Sequence, residues 1–161
     1  MEQILIQLQT DYPELKFKPG TTFLWSPSQQ TVHFVRDASE ATGIWSLLHE
    51  VGHGLLDHRD FTSDFGLLQM EVAAWNKARE LAGTYGHDID EDHIQDCLDT
   101  YRDWLHQRSN CPTCEATSLQ QDSRTYRCTN CDEVWHVAQN RHCRPYRKRL
   151  EPSPRNLTPQ A

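Results

Sequence analysis

The chain lacks any long apolar run. Nowhere in its 161 residues does a stretch approach the roughly 18 consecutive apolar side chains that a membrane span requires. Its first fifteen residues also lack a basic start followed by an apolar run, and they already contain acidic side chains, so a secretory signal is not expected. We therefore expect a soluble, cytoplasmic protein with no membrane partner.

Basic side chains are scarce in the first two thirds of the chain. Residues 1–107 hold 7 Lys and Arg against 18 Asp and Glu, whereas residues 108–161 hold 9 against 5. The formal net charge of −7 therefore combines −11 in the first part with +4 in the second. This change of sign predicts two parts with different partners, although basic residues often do no more than keep a tail solvated.

Cysteines are few and unevenly placed. Four of the six form two C-x-x-C pairs, and Cys97 and Cys143 stand apart. In a chain without an expected secretory signal, such pairs favour metal binding over disulfides. Cys97 is predicted to be a small core residue on a helix, and we assign no role to Cys143.

The residue pattern predicts a hairpin and three helices in the first part of the chain. Thr22–Trp25 and Thr31–Val35 are rich in β-branched and aromatic residues and flank a turn-forming segment, which indicates a β-hairpin. Apolar residues at helical spacing then predict helices from about Asp37 to Leu56, from Phe65 to Tyr85, and from Glu91 to Gln107.

The motif His49-Glu50-Val51-Gly52-His53 falls on the first of these helices. Residues four apart on a helix lie on one face, so His49 and His53 can offer two imidazoles to one ion, with Glu50 beside them. With a third ligand, one tetrahedral position remains for a water molecule whose proton Glu50 can take. Two histidines alone are more often ordinary polar residues, and it is the full five-residue pattern that predicts a zinc site.

The third ligand must come from elsewhere. The metzincin arrangement places a histidine six residues beyond His53, but Arg59 stands there, and His58 comes one position too early. Glu71 falls in the first turns of the second predicted helix, where the preceding loop could fold it back over the first helix. We predict Glu71 as the third ligand, and the alternative is an ordinary exposed glutamate.

These residues resemble the signatures of a known peptidase family. The first motif looks like the H-E-x-G-H signature, and Glu71 to Ala78 looks like the E-x-x-A-x-x-x-A signature, of the ImmA/IrrE-type peptidases, which are gluzincin-like. The similarity covers about residues 22–84. Trp75 stands where the family usually has asparagine, and the apolar segment that usually follows is absent.

The resemblance implies a role for each matching residue. In the family the two histidines and the glutamate of the second motif bind zinc, which implies His49, His53 and Glu71 here. The glutamate of the first motif is the catalytic base, which implies Glu50. Family substrates are typically repressor-type regulatory proteins. The short H-E-x-x-H motif together with the C-terminal cysteine pairs also resembles SprT-like peptidases, but the third histidine of that family is missing, so this resemblance ranks second.

Two further roles are expected in a peptidase of this kind. Thr31–Val35, as an edge strand before the active helix, would align the substrate by strand addition. A group that stabilises the oxyanion is expected as well. Tyr85, His87 and His93 lie just beyond the second helix and are candidates, although each is at least as well explained as a loop residue.

The paired cysteines predict a second zinc ion. Cys111 and Cys114 form one pair, Cys128 and Cys131 form the other, and 13 residues separate them. This spacing suits two knuckles at the ends of a hairpin. A closed set of four thiolates is structural, whereas the alternative is a set of redox-active or merely reduced cysteines.

The predicted ribbon is basic and contains aromatic residues. Nucleic acid could bind it through phosphate contacts and through stacking on Tyr126, Trp135 and Tyr146. A folding cap or a protein-docking module is the slightly favoured alternative. The basic residues are Arg124, Arg127, Arg141, Arg144, Arg147, Lys148 and Arg149.

The chain is thus predicted to be an α+β protein. A small zincin-like metallopeptidase domain, made of a β-hairpin and three helices, would span 1–108, a zinc ribbon 109–145, and a disordered, basic, Pro-containing tail 146–161. It would bind two zinc ions, one catalytic and one structural, and cleave a protein or peptide. The competing hypothesis is a non-enzymatic zinc-binding regulator or adaptor whose ribbon binds nucleic acid or protein.

Overall fold

The computed structural model describes residues 1–138 and 147–150. Its four helices and two small sheets make the protein α+β, as predicted. Among the described residues no helix is both long enough and apolar enough to cross a membrane. The helices are α1 (Glu2–Asp11), α2 (Glu40–Leu55), α3 (Asp64–Thr84) and α4 (Glu91–Ser109). The strands are β1 (Lys16–Pro19), β2 (Leu24–Ser26), β3 (Thr31–Phe34), β4 (Leu119–Gln120), β5 (Thr125–Arg127), β6 (Val134–Val137) and β7 (Arg147–Arg149).

The chain divides into two compact units. The first consists of Met1–Phe61 and Gly66–Asp99, and the second consists of Thr62–Phe65 and the chain from Thr100 onward. One division falls in the loop before α3, between Phe61 and Thr62, and the other two fall inside α3 and α4.

The first sheet has the strand order β1-β3-β2. Strands β2 and β3 form the predicted hairpin, with Trp25 opposite Val32, and β1 runs parallel to β3 on its other side. Because β3 is paired on both sides, the expectation that Thr31–Val35 is an edge strand is wrong, and β2 is an edge strand instead. Strand β1 was not predicted because it is only four residues long, ends in a proline and contains no β-branched residue.

Helix α1 was not predicted either, so the first unit contains more than three helices. Its residues Ile4 and Leu8 are four apart and are both buried, as the helical period requires. The apolar stripe of α2 joins them in one core with Val32 and Phe34 of β3. Complete burial stabilises each such aliphatic side chain by roughly 1.5–3 kcal/mol, so this core fixes α2 against the sheet. The buried apolar side chains that α2 contributes to this core are Ile44, Leu47, Leu48 and Val51.

The second sheet is antiparallel, with the order β4-β5-β6-β7. A disordered tail was predicted from residue 146, but Arg147–Arg149 form β7 along β6, so that prediction is wrong for these residues. Tyr146 and residues 151–161 lie outside the described part of the chain. The small core beneath this sheet contains Cys111, Tyr126, Cys128, Trp135 and Val137.

A buried ion pair lies beside this core. Arg108 and Asp64 are 1 % and 2 % exposed, and Arg108 donates from Nε and Nη2 to the two oxygens of Asp64 at 2.5 and 3.0 Å. The Tyr126 hydroxyl donates to the same carboxylate at 2.6 Å, and burial together with the Asp64 carboxylate raises the tyrosine pKa. The Trp135 indole donates to the Arg108 carbonyl at 3.0 Å. The charges are therefore paired and hydrogen-bonded, as burial demands.

Candidate metal centres

Helix α2 directs two imidazoles toward α3. His49 and His53 lie one turn apart, and their Nε2 atoms are 3.1 Å from each other. Both side chains are nearly buried, because the neighbouring apolar positions of α2 face the core. The helical spacing predicted from the sequence is therefore present in the structure.

Glu71, on α3, completes this group. Its Oε2 lies 3.2 Å from His49 Nε2 and 3.6 Å from His53 Nε2. Burial raises the carboxyl pKa, but the two imidazoles beside it outweigh burial and lower the pKa to about 2. Glu71 is therefore ionised at neutral pH, which is the form that binds a cation.

The three ligand atoms have the separation that one small cation needs. Their mutual distances are 3.1, 3.2 and 3.6 Å. A tetrahedral ion with bonds of about 2.0–2.1 Å holds its ligand atoms about 3.3–3.4 Å apart. Glu71 Oε2 is buried and, despite its two close neighbours, makes no well-aligned hydrogen bond. An acceptor oriented in this way, between two imidazole nitrogens, fits coordination to an ion.

Glu50 is held beside this group. The backbone N–H of Trp25, on the edge strand β2, donates to Glu50 Oε2 at 2.7 Å. The side chain is only partly buried, so its other oxygen remains available. Glu50 is thus a partly exposed carboxylate that directly follows His49 on α2.

Close helix packing brings Glu71 within reach of α2. A Cβ atom added at Gly52 would lie 2.7 Å from the carbonyl oxygen of Ala74, so no other residue allows the two backbones to approach so closely. This is a packing reason for a glycine that otherwise costs about 1 kcal/mol in a helix. Gly52 therefore contributes to the site through backbone distance.

Aromatic rings line the other side of His49. Trp75 stacks on the His49 ring with centroids 4.2 Å apart, and His93 contacts Trp75 edge-on at 5.7 Å. The buried Nδ1 of His49 has no hydrogen-bond partner among the described residues. Trp75, at the position where the resemblance would place asparagine, thus supplies an apolar surface to the first ligand.

The three candidates for oxyanion stabilisation are placed differently. His93 is separated from His49 by the Trp75 ring and also contacts Trp45 at 4.9 Å. The Tyr85 hydroxyl instead donates to Asp11 at 2.7 Å, and burial and this bond raise its pKa. In the described part of the chain no contact joins Tyr85 or His87 to the metal-ligand group. Ring contacts connect His93 to His49 through Trp75.

Sequence reasoning missed two residues around this group. His58 Nδ1 lies 2.8 Å from His53 Nδ1, and burial together with the neighbouring His53 lowers the His58 pKa. The Trp25 indole donates to the His58 carbonyl at 2.9 Å. His58 was set aside because it comes one position too early for the metzincin histidine, and Trp25 was assigned only to the hairpin. The feature that could have identified His58 is the turn that ends the helix shortly after His53, because it folds the next residues back toward the helix.

The four paired cysteines form the second group. Their sulfur atoms lie within 4.8 Å of one another, with 3.6 Å between Cys111 and Cys131 and 3.5 Å between Cys114 and Cys128. A tetrahedral ion with metal–sulfur bonds of about 2.3 Å requires separations of about 3.8 Å. The group therefore fits one ion, and its four sulfur atoms would fill all four tetrahedral positions.

The two knuckles have the same backbone conformation. Four residues after the first cysteine of each, Glu115 and Asp132 have φ values of 60° and 59°, and their N–H groups donate to that cysteine's carbonyl at 3.0 and 3.2 Å. Burial raises the pKa of Cys128, but backbone N–H groups directed at its sulfur outweigh burial and lower the pKa to about 6. A thiolate is thereby favoured before any ion binds.

The two remaining cysteines lie apart from these groups. Cys97 is partly buried against the main core, as predicted, with its sulfur 3.7 Å from His93 Nε2. Cys143 lies outside the described residues. The five described cysteines are all free thiols.

Comparison of the chain with models of protein families, with curated proteins and with solved structures finds no match. The function must therefore be inferred from the two ligand groups and from the residues around them.

Proposed function

We propose that the chain is a zinc-dependent metallopeptidase of the ImmA/IrrE-like, gluzincin-like kind. The observation that supports this most strongly is the convergence of His49, His53 and Glu71, with Glu50 held beside them. Two imidazoles and one carboxylate form the ligand set of many catalytic zinc sites, and three ligands leave one tetrahedral position open. The four cysteines make a closed set, so we assign them a structural zinc ion.

The proposed reaction is hydrolysis of a peptide bond. Zinc would supply Lewis acidity, which polarises the scissile carbonyl and lowers the pKa of water to about 7. Glu50 takes the proton from the attacking water and later delivers it to the leaving amine. The backbone N–H of Trp25 holds one Glu50 oxygen, which orients the other for this transfer.

The substrate is proposed to be a protein or peptide in an extended conformation. Strand β2 is an edge strand, and it carries the backbone group that holds Glu50. An extended segment added along this edge would run past the proposed base. A regulatory protein is the substrate class that the family resemblance favours, and β2 replaces Thr31–Val35 as its docking strand.

The experiment compares the wild type with Glu50→Gln. Cleavage of an unfolded protein, followed by mass spectrometry of new termini, should slow by about 10²–10⁴-fold, because the base is lost. Both zinc ions should remain bound, because Glu50 is not a ligand. Glu80→Gln, the same substitution on an exposed position of α3, is the matched control and should cleave at the wild-type rate. Identical fragments at identical rates from the wild type and Glu50→Gln would refute the proposal.

The second unit offers a surface for a different partner. One face of its sheet carries three exposed side chains, Arg127, His136 and Lys148. They share this face because residues paired across neighbouring strands, and alternate residues within a strand, point to the same side. The face opposite contains Tyr126 and Trp135, which are buried and stack on each other at 5.6 Å. The expectation that these two rings stack on bases is therefore wrong, and Tyr146 lies outside the described residues.

Nucleic acid is accordingly proposed as a partner only through phosphate contacts at the exposed face of Arg127, His136 and Lys148. Arg147 and Arg149 donate to the carbonyls of Asn110 and Pro112 at 2.7 and 2.8 Å, so they already brace the first knuckle. Binding to duplex DNA should weaken with salt, and Lys148→Ala should reduce the salt slope by about 1. No detectable binding to duplex DNA at 50 mM salt would favour the alternative, a folding cap or a protein-docking module.

A further inference from the structure

Helix α2 ends in a turn that folds the chain back over its last residues. Asp57 has φ 49°, its N–H donates to the Gly54 carbonyl at 3.2 Å, and the His58 N–H donates to the His53 carbonyl at 3.0 Å. These two bonds make a Schellman motif, which sets the second residue beyond the helix over a residue of its last turn. Here that pair of residues is His58 and His53.

The motif therefore brings two imidazoles together. His58 Nδ1 lies 2.8 Å from His53 Nδ1, and the rings meet at 69° with centroids 4.9 Å apart. His53 Nε2 faces Glu71, so an ion would bind this nitrogen in its unprotonated form. The His53 proton must then be on Nδ1, where it can be donated to His58 Nδ1.

His58 is itself fixed from the sheet side. The Trp25 indole donates to the His58 carbonyl at 2.9 Å, while the Trp25 backbone N–H donates to Glu50. Trp25 is 8 % exposed and belongs to the main core, and its ring would contact any side chain at Gly54. One core residue thus holds both the proposed base and the partner of a proposed ligand.

We propose that His58 is a positioning residue that holds His53 in the tautomer whose Nε2 is free to bind zinc. Outer hydrogen-bond partners of metal-binding histidines are usually carboxylates, carbonyls or water, and their loss typically weakens metal affinity by about 10–100-fold. The inference rests on the metal site of the proposed function, but it concerns the orientation of the ligand and not the cleavage of a substrate.

The experiment uses the full chain with three side chains at position 58. His58→Phe keeps a planar ring and removes the acceptor, whereas His58→Asn places an amide oxygen close to where Nδ1 lies. Zinc affinity of the histidine site is measured by competition with a chelator, and the cysteine-bound zinc ion serves as the internal reference. The His53 tautomer is read from ¹⁵N chemical shifts of the imidazole after a chelator has emptied the histidine site.

We expect His58→Phe to bind zinc at the histidine site about 10–100-fold more weakly and to show mixed His53 tautomers. His58→Asn should restore most of the affinity and the Nδ1–H tautomer. Unchanged affinity and tautomer in His58→Phe would overturn the inference. The inference would also be overturned if His58→Asn failed to restore the zinc affinity and the melting temperature fell as well. Those two results together would mean that His58 acts through packing.

Failure of the proposed function is a separate result. Because the tautomer is measured without zinc at the histidine site, it tests His58 even if the wild type cleaves nothing. Wild-type levels of cleavage in Glu50→Gln would refute the peptidase and leave the His58 result standing.

Discussion

The two ligand groups are built in opposite ways. His49, His53 and Glu71 come from two helices of a unit whose core contains sixteen buried apolar residues. The four cysteines come from two short turns, and the described residues of their unit form a core of five, of which two are the cysteines Cys111 and Cys128. The first group is thus a product of its fold, whereas the second group must help to make its fold.

The same contrast separates open from closed coordination. The histidine group offers three side chains and stands beside an edge strand, which suits a site that exchanges ligands. The cysteine group offers four equivalent sulfurs with matching knuckles, which suits a permanent ion. Because the apolar core of the first unit does not depend on a metal ion, the three side chains of a site there need not be joined by a fourth.

The largest expected effect is on the cysteine side. Cys128→Ser should lose one of two zinc ions and unfold the second unit, because structural zinc contributes on the order of 10–16 kcal/mol to small domains. In an amide NMR spectrum, the dispersed signals of the second unit should collapse while those of the first remain. Cys97→Ser, outside the group, is the control and should keep both ions.

His49→Ala provides the reciprocal measurement. It should lose the other ion, and the first unit should remain folded because its apolar core is independent of the metal. The contrast would be wrong if both variants unfolded the same unit, or if His49→Ala unfolded the first unit. In either case the histidine group would not be a site that its unit forms without the metal.

A smaller effect is expected at the buried ion pair of the second unit. Arg108→Met leaves Asp64 charged and buried, so unfolding by denaturant should show a loss of about 3–5 kcal/mol. The exposed pair of Arg127 and Asp132 is the matched comparison, and Arg127→Met should change the free energy of unfolding by about 1 kcal/mol or less. Equal losses in the two variants would show that burial does not set the strength of these pairs.

The smallest effects concern two glycines. Gly52→Ala should cost about 1–3 kcal/mol and weaken zinc binding at the histidine site, because its Cβ would press on the Ala74 carbonyl of α3. Gly83→Ala, with nothing within 4 Å of the new methyl group, should instead stabilise the protein by up to about 1 kcal/mol. Thermal unfolding and chelator competition measure both. A stabilising Gly52→Ala would mean that the close approach of the helices is not needed.

Local features were largely readable from the residues. The spacing of His49 and His53, the apolar stripe of α2 and the two cysteine knuckles each depend on contacts within a few positions, so periodicity and turn chemistry predict them. The hairpin of β2 and β3 follows for the same reason. Strands β1 and β7 were not predicted, because neither is joined to its partner strand by a short turn that a local pattern could mark.

The sequence by itself determined which residues can bind metal and which of them share a helix face or a turn. Only the tertiary structure decided that Glu71 meets the histidines, that β2 is an edge strand, and that Trp25 and His58 support the site. The physical reason is that these contacts join residues far apart in the chain or, for His58, depend on the left-handed backbone of Asp57, which is not a glycine. Packing of the whole core sets them, and no local pattern records it.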